Sequence, residues 1–407
     1  MVAVRRVLLV APFPPTIDGR HGGSRALRGL AEGLAKTCEV GLVHTQEEGE
    51  GDAVLNASCS LLEAVPVPPD GRWMRRMRAA AGLVRGRSLW AASLGVPTVA
   101  RRVAAVAERW RPDVVQVESV LGETLRAVGG APLRVLTVHE PAEMRREGVS
   151  LRREGMALAH RVDGAVAVRE QRRILSLAEA AVVFTPRDRE IIARAAPPAL
   201  ELATIALGWD LPARPLDPLG SDPPSVVFVG SFIHPPNVDA ALRLAKEILP
   251  LVRRERPDVH LELVGSRPPP EIRALAADGV RVAGDVPSVE PYLDRAAVVV
   301  APIAIGGGMR VKVLEAMAAG KALVSSPRAA EGLSAQHGRE ILIADGVEQT
   351  AAAILRLVED APARAALGRA ARAWAERELS WSAMAARYEE LYSRLEDRRA
   401  ASSARRG

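Results

Sequence analysis

The sequence predicts an α/β protein of two doubly wound, Rossmann-like domains, each built on a mainly parallel sheet. Three observations predict it. Short, continuous runs of Val, Leu and Ile recur along all 407 residues, and such runs belong to strands buried on both faces. Amphipathic segments of helical spacing separate most of them. The length exceeds what one core serves, so two domains of about 200 residues are expected.

The elements follow in order. "RRVLLVAP" (5–12), "EVGLVHT" (39–45), "DVVQVE" (113–118), "LRVLTVH" (133–139) and "AAVVFTP" (180–186) are strands of a first domain, 1–207. Met1 precedes an Arg pair and an apolar run that imitate a signal peptide, but the run is short and ends in prolines, as a first strand would. "GWDLPARPLDPLGSDPP" (208–224) breaks all periodicity with five prolines and two glycines and is the expected linker. In the second domain, 225–380, strands are expected at "SVVFVGS" (225–231), "VHLELVG" (259–265), "VRVAG" (280–284), "AAVVVAP" (296–302), "ALVSS" (322–326) and "EILIAD" (340–345). A C-terminal helix over 381–398 should cross back to the first domain. Residues 399–407 should be a disordered tail.

Composition narrows the function. Hydrophobic residues make up 48% and charged residues 26%, as in ordinary globular proteins. The net charge of +6 invites nucleic acid, yet aromatics are only 3% and the basic residues are interleaved with acids, so no nucleic-acid partner is expected. Only Lys36, Lys246, Lys312 and Lys321 are lysines among 55 basic residues, which makes each more informative than a lysine usually is. Cys38 and Cys59 form neither a metal pattern nor a disulfide framework, which suits a reducing, cytoplasmic setting. No apolar window is long enough to span a membrane. "GRWMRRMRAAAGLVRGRSLW" (71–90), with six arginines, two tryptophans and no acid, could rest on anionic lipid at the inner membrane face, or be simply a solvated face.

The stretch "IGGGMRVKVLEAMAAGK" (305–321) carries the chemistry. It runs from a strand into a helical pattern with Gly320 as a C-cap, so its glycines lie at the carboxyl edge of a parallel sheet. Bare backbone N–H groups of Gly307, Gly308 and Met309 at a helix N-terminus suit an anion. Arg310 and Lys312 add full charges fit for a diphosphate. Glu315 is an acceptor-only group fit for the two hydroxyls of a ribose. A surface ion pair beside a tight turn is the plainer alternative.

The surroundings tip the balance. "GGGMRVKVLEAMAAGKALVSSPRAAEGL" (306–333) resembles the nucleotide-sugar signature of glycosyltransferase family 4, retaining enzymes of the GT-B fold whose two domains face each other across a cleft. "VVFVGSFIHPPNVDAALRLAKEILP" (226–250), "VAGDVPSVEPYL" (282–293), "VLLVAPFPPTIDGRHGGSRALRGLAEGL" (7–34) and "LRVLTVHE" (133–140) extend the resemblance over nearly the whole chain.

That resemblance implies a glycosyltransferase moving a hexose or related sugar, and since the sequence holds no HExxH, clustered cysteine site or Asp-x-Asp pair for a divalent metal, metal independence and no cofactor are expected. The donor is a nucleoside-diphosphate sugar bound by the second domain. The acceptor is a glycan, lipid-linked sugar or small molecule on the first domain, as in polysaccharide biosynthesis. Glu315 matches the second glutamate of the family's E-x7-E motif, and Gly307 stands where the first would be. The resemblance puts His139 beside the reaction centre as the catalytic histidine and sets the base against Gly265 and Val286. Gly22 and Gly23, ahead of a helical segment, would serve the donor phosphate or the acceptor; the plainer alternative is an ordinary helix start with Ser24 as a possible cap. The family's usual Arg and Lys after the first strand of the second domain are replaced by "GSFIHPPN" (230–237), where Asn237 is expected to cap the next helix. A non-catalytic relative that kept the fold is the rival that Gly307 motivates. A nicotinamide-dependent oxidoreductase would need G-x-G-x-x-G after the first strand, where "APFPPTIDGRHGG" stands instead.

Overall fold

The computed structural model describes residues 4–15, 22–46, 58–67, 77, 81–147, 157–277, 279–305 and 311–404. The chain divides into two compact units, Met1–Gly208 with Trp381–Gly407, and Trp209–Ser380.

The first unit holds seven parallel strands, β1 (Arg6–Ala11), β2 (Glu39–Gln46), β3 (Leu61–Pro66), β4 (Val114–Glu118), β5 (Leu133–Val138), β6 (Ala180–Val183) and β7 (Glu201–Thr204). They lie in the order β3-β2-β1-β4-β5-β6-β7. This is the doubly wound order, with the direction of winding reversing between β1 and β4. The central strands are the predicted apolar runs. Val7, Leu8, Val114, Val115, Val135 and Leu136 are wholly buried under helices such as Gly22–Leu34 and Val96–Trp110.

The sequence gives no clear sign of β3 and β7. Both are edge strands, β3 being largely half-buried and β7 only four residues long, so neither carries a continuous apolar run.

The second unit repeats the plan with β8 (Ser225–Val229), β9 (His260–Gly265), β10 (Val280–Gly284), β11 (Ala296–Ala301), β12 (Leu323–Ser325) and β13 (Leu342–Ile343). Their order is β10-β9-β8-β11-β12-β13, and the winding reverses between β8 and β11. Pairing of Val229 with Val264 and of Gly284 with Gly265 sets the carboxyl ends of β8, β9 and β10 level. The expected fold class, two doubly wound, Rossmann-like α/β domains, is the one observed.

The helix Trp381–Ala404 packs on the first unit. Tyr388, Leu391, Tyr392 and Leu395 are buried along one face, each burial stabilising by about 1.5–3 kcal/mol. The Tyr392 hydroxyl donates to Gln116 Oε1, and Gln116 Nε2 donates to Thr137 Oγ1 at 3.0 Å, joining the helix to β4 and β5. At the helix start the Trp381 ring lies so close to Gly29 and Gly208 that a Cβ on Gly29 would stand 2.1 Å from it. The tail expected to be disordered from 399 is instead helical through Ala404. Arg399 donates to the carbonyl of Pro132 at 3.1 Å and pairs with Glu179, which fixes the extra turns.

Candidate functional site

In the second unit, β11 leads to the helix Val311–Ala318. Val313, Leu314, Met317 and Ala318 face the core, which leaves Lys312 and Glu315, three positions apart, together on the half-exposed face. The helix closes as expected at Gly320, whose φ is +76°. Gly320 N donates to Met317 O at 3.0 Å and Lys321 N to Ala316 O at 3.0 Å, a Schellman closure.

Lys312 reaches back to the end of β8. Its ammonium donates to Asn237 Oδ1 and lies 4.3 Å from the centroid of the buried Phe228 ring, a cation–π contact. Gly230 makes the room, because a Cβ there would come within 2.8 Å of Lys312 Nζ and 2.9 Å of the Asn237 amide carbon. The neighbouring strand is held as tightly. A Cβ on Gly265 would fall 1.8 Å from the Gly230 carbonyl oxygen, so only glycine fits there.

Asn237 does not cap its helix, contrary to expectation. The helix begins at Pro235 with His234 as its cap residue, since a proline lacks the N–H that a first helical residue leaves unused. The Asn237 amide is turned instead toward the β8 loop, where Nδ2 donates to Ser231 O at 2.7 Å. Ser266 Oγ donates to Ser231 Oγ at 2.9 Å, tying that loop to the one after β9. Val286 is half-buried two residues past Gly284, the β10 residue that pairs with Gly265.

In the first unit the polar groups also collect at the carboxyl edge. Glu118 ends β4 and His139 follows β5, and the Glu118 carboxylate stands 2.6 Å from His139 Nε2. The His139 side chain is 37% exposed and that of Glu118 12%, so the pair faces solvent through the imidazole. Phe184, just beyond β6, tilts against the His139 ring with centroids 5.0 Å apart. The helix from Gly22 packs close on the β1 loop, where a Cβ on Gly23 would come 2.7 Å from the Phe13 ring. Ser24 is not a cap. It is buried in the first turn and its hydroxyl donates to Pro14 O at 2.6 Å.

The predicted residues therefore fall into groups. Lys312 and Glu315 share a helix face, Gly265 and Val286 share the β9–β10 end, and His139 and Gly23 belong to the first unit; Gly22 opens its helix there. Gly307, Gly308, Met309 and Arg310 lie outside the described residues, as do 71–76 and 78–80 of the basic segment. Within the described part of that segment Met77, Val84 and Trp90 are exposed. Glu118, Phe228 and Gly230 were not singled out by sequence. Glu118 had a signal, an acid closing an apolar strand run, whereas the seat of Lys312 exists only once β8 and β11 are neighbours. Among the described residues no group of three or more His, Cys, Asp and Glu side chains could hold a metal ion, and no helix is long and apolar enough to cross a membrane.

Residues 223–360 match the family model described as glycosyl transferases group 1. Solved structures of similar fold span nearly the whole chain. The sucrose-phosphate synthase of Thermosynechococcus elongatus is 18% identical over 96% of this chain and 99% of its own, with a TM-score of 0.67. A UDP-forming α,α-trehalose-phosphate synthase of Burkholderia xenovorans, in complex with glucose-6-phosphate, is 13% identical over 96% and 100%, with a TM-score of 0.63. HepE of Anabaena, in complex with UDP and glucose, is 14% identical over 95% and 99%, with a TM-score of 0.61. No curated protein sequence matches the chain.

Proposed function

We propose that the chain is a retaining glycosyltransferase of family 4 that moves a sugar from a nucleoside diphosphate to an acceptor without a metal ion. The observation that carries this is the seat of Lys312, a cation held beside Gly230 where the winding of the second sheet reverses. Ligands of open α/β sheets bind at that reversal, outside the carboxyl ends of the strands. The group 1 match over 223–360 covers the same unit. The likeness to a structure holding UDP and glucose agrees in kind.

In this assignment Lys312, with Arg310 and the backbone of Gly307, Gly308 and Met309, binds the diphosphate. Glu315 accepts from the ribose hydroxyls, and Gly265 and Val286 border the base. As the bond from the sugar's anomeric carbon to the diphosphate breaks, negative charge grows on the leaving oxygen, and a positioned ammonium stabilises it more than it stabilises the intact donor. A bond from the same carbon to the acceptor oxygen forms, and the acceptor's proton passes to the departing phosphate. His139, oriented by Glu118, serves the reaction centre electrostatically. Gly22 and Gly23 serve the donor phosphate or the acceptor, which is a glycan, a lipid-linked sugar or a small molecule. The basic segment 71–90 gives peripheral contact with an anionic membrane, which sedimentation with anionic liposomes would test.

A thermal-shift screen of UDP, GDP, ADP and dTDP and their sugars tests the activity, because a ligand of the folded state raises Tm by mass action. A stabilising nucleotide sugar should then be hydrolysed slowly. Lys312→Ala and Glu315→Ala should lose both effects, and excess EDTA should spare them. Gly307, standing where the family has a glutamate, favours one other reading, a non-catalytic nucleotide-sugar-binding protein. Binding without any turnover would establish that instead.

A further inference from the structure

The loop after β8, "GSFIHPPN", contains no lysine or arginine, yet a full positive charge sits at the end of that strand. It comes from Lys312, on a helix that follows β11. A lysine has four rotatable bonds, and fixing them costs about 2 kcal/mol of rotamer entropy, so something must hold its ammonium there. Asn237 is built to do so. Its Oδ1 accepts from Lys312 Nζ while its Nδ2 donates to Ser231 O at 2.7 Å, so both ends of the amide are engaged and its orientation is set. Gly230 leaves the space the two side chains meet in, and Phe228 supplies an aromatic face beneath the ammonium.

We infer that Asn237 is a positioning residue, which holds the Lys312 ammonium at the end of β8 for the diphosphate of a nucleotide and touches no substrate itself. The inference rests on the donor assignment above. Asn237 suits the task chemically, because an amide oxygen directs an ammonium without adding negative charge beside the anion it is to meet. A carboxylate in its place would hold Lys312 more strongly and repel the diphosphate.

The test is a double-mutant cycle on the full chain, using Asn237→Ala and Lys312→Met. Affinity is measured calorimetrically for the nucleoside diphosphate, among UDP, GDP, ADP and dTDP, that binds the wild type best. Asn237→Ala should weaken binding about tenfold and do nothing further once Lys312 is Met. Equal weakening in both backgrounds would show that Asn237 acts structurally or contacts the ligand directly, and would overturn the inference. So would wild-type affinity in Asn237→Ala. If Asn237→Ala does not fold, Asn237→Ser replaces it in the same cycle with the same two outcomes. Loss of the donor assignment looks different: either no nucleoside diphosphate binds the wild type, or Lys312→Met binds as the wild type does. Either result removes the inference along with the assignment.

Discussion

Lys321 gives the most quantitative prediction. It directly follows the closure of the helix that carries Lys312 and Glu315, and it is completely buried. Its ammonium donates to Asp294 O at 2.9 Å and to Asp217 O, stitching that closure to the short helix Glu290–Arg295 before β11 and to the segment entering the unit. Burial lowers its pKa from 10.5 to about 8; the Asp217 and Asp294 carboxylates oppose the drop and Arg364 adds to it. Below about pH 8 the folded and unfolded chains both carry the proton and stability does not change with pH. Between about pH 8 and 10.5 the unfolded chain binds a proton that the folded chain does not, so stability rises with pH. Integrated from about pH 7.5 to about pH 10, the gain is about 2 kcal/mol. Lys321→Met keeps the length of the stem and removes the titration. Guanidinium chloride unfolding of both proteins by far-UV circular dichroism at these two pH values measures the difference. Tyr388 and Tyr392, held protonated by burial, affect both proteins alike and cancel. Wild type should gain about 2 kcal/mol on Lys321→Met over that range. Parallel pH profiles would refute the assignment of a buried ammonium with a lowered pKa at this position.

Three further outcomes are expected. Glu118→Gln should lower nucleotide-sugar turnover about tenfold or more with nucleoside-diphosphate affinity unchanged, since it loosens His139 and leaves the second unit alone; unchanged turnover would remove Glu118 from the mechanism. Tyr392→Phe leaves the buried Gln116 Oε1 without its donor, and should cost about 1–3 kcal/mol in chemical denaturation. Gly29→Ala drives a methyl to 2.1 Å from the Trp381 ring, and should cost about 1–3 kcal/mol by overpacking; an unchanged Tm would mean that the C-terminal helix is not seated as described.

How much the sequence disclosed followed from where the signal was stored. Central strands such as β1, β8 and β11 are buried on both sides, so their continuous apolar runs were visible. The edges β3 and β7 cover one neighbour each and blend into loop-like composition. Lys312 and Glu315 could be paired because helical spacing is local. Asn237 was misjudged as a cap, and Ser24, a possible cap in the plainer reading, is not one either, although local chemistry argued as much for both. The two prolines before Asn237 already mark a helix that begins ahead of it, and two glycines allow the helix to begin ahead of Ser24. The Gly230–Gly265 contact, by contrast, depends on two strands 35 residues apart becoming neighbours, and no local pattern encodes that. The tail from 399 was taken for loose chain on composition, but its arginines found carbonyls and a carboxylate on the first unit.

The two sheet edges solve different electrostatic problems, and the partner types show it. In the first unit an imidazole is set against a carboxylate 2.6 Å away. In the second an ammonium is set against an amide oxygen and an aromatic face, which help fix its place. Among the described residues Arg5 ends on Glu396 and Arg295 on Glu262, and such pairs are spent on structure. An amide oxygen, unlike a carboxylate, holds an ammonium at the point where the sheet's winding reverses without adding negative charge beside a ligand. Asn237→Asp should therefore hold Lys312 more strongly than Asn237 does and still lose the nucleotide, a combination that no purely structural role for the pair would produce.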